Sequence, residues 1–185
     1  QSKDRNKACD VILDVSLTSE RQKYLYFSRP IYQLHYALLF SKKRFPDGIS
    51  AKSLPEVSAY RVCGVESYNY GYLANQLTIT RKPSIQEVLD SLEQGDCDIF
   101  PVESSVIKFG QKMALYKLPS LACMHLAGIT KSYRVAVAKN YPDGQKWIEK
   151  IEYQLDGFQR KGKLNEWMAV HDIGPMACAQ TLNLK

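Results

Sequence analysis

The chain has no run of about 18 apolar residues, so it offers no helix able to cross a bilayer. It has no C-x-x-C pair, and its three histidines, His35, His125 and His171, stand far apart along the sequence, which argues against a zinc site. Neither G-x-G-x-x-G nor G-x-x-x-x-G-K-[ST] occurs, so no glycine-rich cradle for nucleotide phosphates is present. No paired catalytic carboxylates and no nucleophile–base pair stand out. The pattern therefore points away from an enzyme, and no cofactor is expected. No signal peptide is visible at Gln1, so export would require that such a segment had been removed.

What is present is a chain of 185 residues with 45% hydrophobic content, enough for one or two packed units. The formal net charge is +6. The basic residues are scattered, with Lys42-Lys43-Arg44 and Arg160-Lys161-Lys163 as the grouped exceptions. Such groups read as solvated surface, and without a nucleic-acid motif no nucleic-acid partner is expected. Five cysteines, Cys9, Cys63, Cys97, Cys123 and Cys178, leave at least one thiol unpaired within a chain. Cys63 and Cys97 fall on strands expected in one sheet, which makes a disulfide between them conceivable. Buried free cysteines are the preferred reading.

Residues 8–32 are the most informative stretch. Val11-Ile12-Leu13 ahead of polar residues reads as a buried parallel strand reaching its C-terminal end. Ser16, Thr18 and Ser19 follow, and Thr18 or Ser19 can cap a short helix with Glu20 and Arg21 in its first turn. Ligands of open α/β sheets lie outside the carboxyl ends of strands. Hydroxyls and a fixed cation are thus offered at such a place, and Arg21 can grip a carboxylate with two parallel hydrogen bonds. Asp14, two residues before Ser16, can pair with Arg21 and hold it away from a ligand, or select a ligand with a second cationic group.

Further along, Tyr32–Ser41 alternates as a strand, and Tyr60–Glu66 opens a second βα unit. That strand ends in Ser67-Tyr68-Asn69-Tyr70-Gly71, whose backbone N–H groups can hold an anion where the next helix starts. Ser84 is an N-cap with Glu87 three residues on, opening a helix over Ile85–Glu93 that Gly95 ends. Residues 97–102 form a buried strand, Glu103 follows it directly, and Ser104-Ser105 start a helix whose dipole favours the carboxylate. Residues 113–128 are weakly patterned and interrupted by Pro119. Tyr133–Lys139 reads as a strand, a long helix begins at Asp143, a short helix covers Leu164–Val170, and the tail from Pro175 has no clear assignment. Trp147 and Trp167 read as core or docking residues.

Taken together, Cys9-Asp10, Ser16-Leu17-Thr18-Ser19-Glu20-Arg21 and Phe27-Ser28-Arg29-Pro30-Ile31-Tyr32 resemble the extracellular solute-binding family that includes the polar amino-acid binding proteins of ABC importers. The unit Leu92 to Asp98 repeats the same helix–Gly–x–x–Asp–strand pattern, and the resemblance runs to about Val170. Lys7 stands where that pattern has glycine. The resemblance implies an α/β, type II periplasmic-binding-protein-like fold of two lobes joined by two hinge-crossing strands. Residues 1–40 would form part of lobe 1, 41–131 lobe 2, and 132–185 the return strand and C-terminal helices completing lobe 1. It also implies a first strand, a helix and a second strand ahead of Gln1, so the first lobe is expected to be incomplete in this chain.

The resemblance further implies capture of a small polar solute, an amino acid or related compound, in the periplasm or outside the cell, for the membrane permease of an ABC importer. Hinge closure would bring Ser67, Tyr68, Asn69 and Glu103 onto a ligand held by Ser16 and Arg21, with Asp14 beside them. Tyr68 and Asn69 stand at the family's usual hydroxyl-bearing positions, and Glu103 at the acid that binds a ligand ammonium group. The same fold serves as the ligand-sensing periplasmic domain of signalling proteins and, in a few relatives, as a periplasmic dehydratase. Those remain the alternatives.

Overall fold

A computed structural model describes residues 9–117 and 120–183; Lys7, which stands where the resembled pattern has glycine, lies outside the described residues. The chain divides into two compact units. Unit 1 holds the residues up to Gln33 and Ser132–Ile173, and unit 2 holds Leu34–Lys131 and Gly174–Lys185. The chain changes unit three times, inside the two long strands β3 (Tyr32–Ser41) and β7 (Leu121–Ala138) and again after Ile173.

Unit 2 is the better packed. Strand β4 (Val62–Val65) is followed by a short helix α3 (Tyr72–Gln76) and by β5 (Ile79–Lys82), which pairs with β4 in parallel. Helix α4 (Ile85–Gln94) starts where Ser84 accepts a hydrogen bond from the Glu87 N–H, and ends at Gly95 in the left-handed conformation at φ +90°. Glycine is suited to that turn because it has no Cβ to clash. Ile85, Val88, Leu89 and Leu92, spaced along one face of α4, are buried. A parallel bridge from Val62 to Ile99 carries the order into β6 (Phe100–Glu103), and β3 then pairs antiparallel with β6 from Tyr36 opposite Glu103 to Leu39 opposite Phe100. The near-continuous apolar runs of β3 and β4 suit strands covered on both faces.

Two corrections concern the tail and the cysteines. Residues 174–183 do not complete unit 1. They return to unit 2, where β8 (Gln180–Asn183) pairs in parallel with β7, Met124 opposite Gln180 and Ala127 opposite Asn183. Gln180 exchanges both side-chain hydrogen bonds with the backbone of Ile49, which anchors the returning segment. The cysteines are not buried free thiols. Cys63 is bonded to Cys97 and Cys123 to Cys178, with Cα separations of 5.9 and 5.0 Å, and Cys9 is free and exposed. The second bridge pins the tail to β7. Of the weakly patterned stretch 113–128, residues 121–128 belong to the first half of β7, whose side chains alternate irregularly between buried and partly exposed.

Unit 1 has a smaller core of Val15, Leu25 and Ala136, with Ile12, Tyr24, Phe27 and Ala138 packed against it. Strand β1 (Val11–Val15) is neither parallel nor buried, as expected above. It pairs antiparallel with β7, Val11 opposite Val137, and a bulge interrupts the register between Ile12 and Val15. The bulge, with Asp14 at φ +55°, adds one residue to the alternation and turns Ile12 and Val15 to the same side. Val11 and Leu13 are left 48% and 66% exposed. Strand β2 (Leu25–Phe27), not anticipated from its aromatic sequence, also pairs with β7. Helix α6 (Gly144–Arg160) buries Ile148 and Leu155, and its Glu152 and Asp156 hold the Arg29 guanidinium at 2.6 and 3.0 Å. Helix α7 (Lys163–Val170) packs on α6, with Trp167 edge-on to Phe158 at 5.2 Å; Trp147 and Trp167 are both exposed.

One polar group inside unit 2 is heavily used. Asp98 accepts from the Arg61 side chain and backbone N–H at 2.8–3.0 Å and from Arg44 at 2.8 Å. Burial opposes its ionisation, but these hydrogen bonds outweigh burial and take the carboxyl down to about 2. Its folded value lies below its unfolded one, so the stabilisation is fully present above pH 4 or so and disappears as pH falls through about 2. Urea unfolding followed from pH 6 to pH 2 is expected to show an acid limb worth about 2 kcal/mol that Asp98→Asn removes. The bridges close spans of 34 and 55 residues. Cys97→Ser is expected to cost about 2–5 kcal/mol, read as a lower urea midpoint, and dithiothreitol should destabilise the wild-type chain more than the variant.

Candidate solute-binding residues

The residues of interest fall into two sets, one in each unit. In unit 1 the turn after β1 leads into α1 (Ser19–Gln22), and Thr18 is the cap: its Oγ accepts from the Arg21 N–H at 3.1 Å. Because α1 begins there, the Arg21 side chain folds back over the turn. Its Nη1 donates to the Ser16 carbonyl and to Ser16 Oγ, both at 2.8 Å. Ser16 is buried and Arg21 half-buried. Arg21 forms no ion pair among the described residues, and its charge is positioned by neutral acceptors. Asp14 does not hold Arg21. Its carboxylate accepts from the Tyr32 hydroxyl at 2.9 Å, and Tyr32 stacks on Tyr133 with ring centroids 5.3 Å apart. The left-handed backbone at Asp14 is what turns that carboxylate to Tyr32.

In unit 2 the set gathers at the C-terminal ends of β4 and β6, which run parallel. The loop after β4 is built around Tyr70. Its ring is fully buried and its hydroxyl accepts from the Val65 N–H at 2.8 Å. Burial pushes the phenol up to about 12, against the hydrogen bond from Val65 and the nearby Arg81 charge. Arg81 lies 4.6 Å over the Tyr70 ring and donates to the carbonyls of Val65 and Tyr68 at 2.9 and 3.0 Å, so it shapes the loop from beneath. Asn69 Oδ1 accepts from the Gly71 N–H at 2.9 Å, closing the turn into α3. Tyr68 is half-buried, and burial, with Glu103 nearby, raises its phenol to about 12. Ser67 is exposed on the outer side of the turn.

Glu103 caps helix α5 (Ser104–Lys112) from the end of β6 and is 1% exposed. Its Oε1 accepts from Lys131 Nζ at 2.8 Å and from the Tyr36 hydroxyl at 3.4 Å. The same ammonium donates to the Asn69 carbonyl at 2.8 Å, which also lies 3.4 Å from the Tyr36 hydroxyl. The structure thus brings together Tyr68, Asn69 and Glu103, leaves Ser67 aside, and adds three residues that sequence reasoning missed: Tyr36, Arg81 and Lys131. Tyr36 had a signal, being a polar-tipped residue on the inward face of an apolar strand. Lys131 had none, since it lies in a stretch without pattern. His35 and His125, distant in sequence, sit with ring centroids 5.6 Å apart, and burial lowers the His125 pKa further than its neighbour's charge does. No group of three or more metal-binding side chains occurs among the described residues, and no helix among them is long and apolar enough to cross a membrane.

No protein-family model matches this chain. No curated protein matches it either. Solved structures do. An amino-acid ABC transporter substrate-binding protein from Streptococcus pneumoniae, bound to L-arginine, is 22% identical with a TM-score of 0.63, over 85% of this chain and 65% of that one. The GLUR0 ligand-binding core in complex with L-glutamate is 12% identical with a TM-score of 0.68, over 87% of this chain and 71% of that one. An ancestral amino-acid-binding protein described as a precursor of cyclohexadienyl dehydratase is 14% identical with a TM-score of 0.63, over 87% and 67%. The chain spans about two thirds of the length of these proteins. At such identities the likeness is one of fold: this is the α/β fold of the two-lobe periplasmic binding proteins.

Gly64 on β4 has no room for a side chain, because a Cβ there would stand 2.6 Å from the Tyr70 hydroxyl. The ring cannot retreat, since it is fully buried. Gly64→Ala is therefore expected to destabilise unit 2 by about 1–3 kcal/mol and to raise amide exchange across residues 66–71. Unchanged exchange in that loop would mean that Tyr70 does not hold it.

Proposed function

We propose that this protein captures a small polar solute bearing a carboxylate, and that it does so outside the cytoplasm as the binding component of an ABC importer. The observation that carries this reading is Arg21. Its guanidinium is held by the carbonyl and hydroxyl of Ser16 after β1, its backbone N–H is capped by Thr18, and it is paired with no acid among the described residues. A cation fixed by neutral acceptors is ready for an anionic guest, and a planar guanidinium suits a carboxylate's two oxygens. The fold likeness to amino-acid substrate-binding proteins supports the same reading. So do the two disulfides, which persist in oxidising compartments and are rare in reducing ones. The membrane permease is the proposed partner.

Ser16 and Arg21 are proposed as the solute-binding residues of unit 1, and Tyr68 and Asn69 as candidate solute-binding residues of unit 2. Asp14 tunes the first set through Tyr32, and Ser67 has no direct role. Fold likeness to the GLUR0 ligand-binding core favours one second reading, in which the captured solute is a signal for a membrane receptor. Chemistry on the solute is not proposed.

A thermal-shift screen against amino acids and small organic acids is expected to reveal stabilisation of about 2.7 kcal/mol for a solute at 100-fold its dissociation constant. Arg21→Ala should weaken that solute by about 2–5 kcal/mol in calorimetry, because a desolvated carboxylate loses its partner. Near-wild-type affinity in the variant would remove Arg21 from the site.

A further inference from the structure

We infer that the solute of this protein is a carboxylate without an α-ammonium group, because Lys131 already fills the place where unit 2 receives a cation. The inference rests on the proposed solute-binding role and narrows its substrate class. A buried carboxylate such as Glu103 must be matched by a positive charge and hydrogen bonds. An α-amino acid meeting Glu103 would supply that charge with its own ammonium. Here the protein supplies it: Lys131 Nζ lies 2.8 Å from Glu103 Oε1 and 2.8 Å from the Asn69 carbonyl, with 15% of its side chain exposed. One ammonium thus engages both acceptors that a ligand ammonium would need, and the Tyr36 hydroxyl borders both.

A zwitterionic guest would have to displace Lys131 from Glu103 and leave two cations crowded around one carboxylate. A guest with hydrogen or hydroxyl at that carbon asks for no such exchange. The remaining charges point the same way. Arg81 makes no ion pair among the described residues and spends its contacts on carbonyls and the Tyr70 ring. The acceptor set of unit 2 therefore holds one negative and two positive charges. That surplus of positive charge complements a simple anion or dianion and not a zwitterion.

The test is calorimetry on the full chain with matched pairs: L-glutamate with glutarate, L-aspartate with succinate, and L-phenylalanine with 3-phenylpropionate. In at least one pair the acid lacking the amine is expected to bind about tenfold tighter or better. In Lys131→Met, which keeps the stem and removes the charge, the order should reverse because Glu103 is released to an incoming ammonium. Glu103→Gln with Lys131→Met, which carries no buried charge to destabilise folding, should discriminate neither way. An amino acid that binds the wild-type chain as tightly as its deaminated partner overturns the inference while leaving the solute-binding role standing. No heat or thermal shift from any of the six acids at millimolar concentration overturns both.

Discussion

The buried carboxylate of Glu103 is the constraint around which unit 2 is arranged. It sits at the junction of β6 and α5, nearly sealed from water, and an uncompensated charge there would cost several kcal/mol. Meeting that demand recruits β7 through Lys131, β3 through the Tyr36 hydroxyl, and the loop after β4 through the Asn69 carbonyl that shares the same ammonium. Four separate chain segments converge on one ion pair. The loop's conformation is then fixed a second time from below by Tyr70 and Arg81. The cation and the loop are therefore parts of one support, and the shape of the candidate site follows from it.

The two units manage polar groups differently. Unit 2 has a deep apolar core, and it satisfies its inner carboxylates, Asp98 and Glu103, with arginine and lysine from other chain segments. Unit 1 has a small core and relies on a lattice of local and helix-borne contacts: Ser28 with Val135, Arg29 with Glu152 and Asp156, Arg21 with Ser16. Its strand β1 keeps Val11 and Leu13 largely in solvent. The Arg21 cation of unit 1 is positioned by the neutral acceptors of Ser16, whereas the Glu103 carboxylate of unit 2 is matched by the Lys131 ammonium.

Much of this was legible along the chain wherever the cause was local. Thr18 caps α1 because a hydroxyl three residues before the Arg21 N–H can reach it, and the same short loop returns the guanidinium to Ser16. Ser84 and Gly95 bracket α4 for equally local reasons. The bounds of β3 followed from its alternation. The resemblance carried by residues 8–32 indicated the right fold, and Glu103 lies where the apolar run of residues 97–102 put it, at the end of β6 and the start of α5. The misread strand β1 shows the limit. Three consecutive apolar residues predict burial on both faces, but burial also needs neighbouring elements, and a bulge at Asp14 reset which residues faced inward.

The amino-acid sequence by itself determined the order of elements, their caps, the βα units of unit 2 and the placing of a cation beside Ser16, because each depends on contacts a few residues apart. Only the tertiary structure decided the partners that meet from afar. Lys131 reaches Glu103 across 28 residues, Cys178 reaches Cys123 across 55, and β8 joins β7 instead of completing unit 1. A period-two pattern tells a strand which face to bury without naming its neighbour, and a lysine in an unpatterned stretch looks like any solvated one. Only once the chain path closes does one ammonium become the counterion of a buried acid.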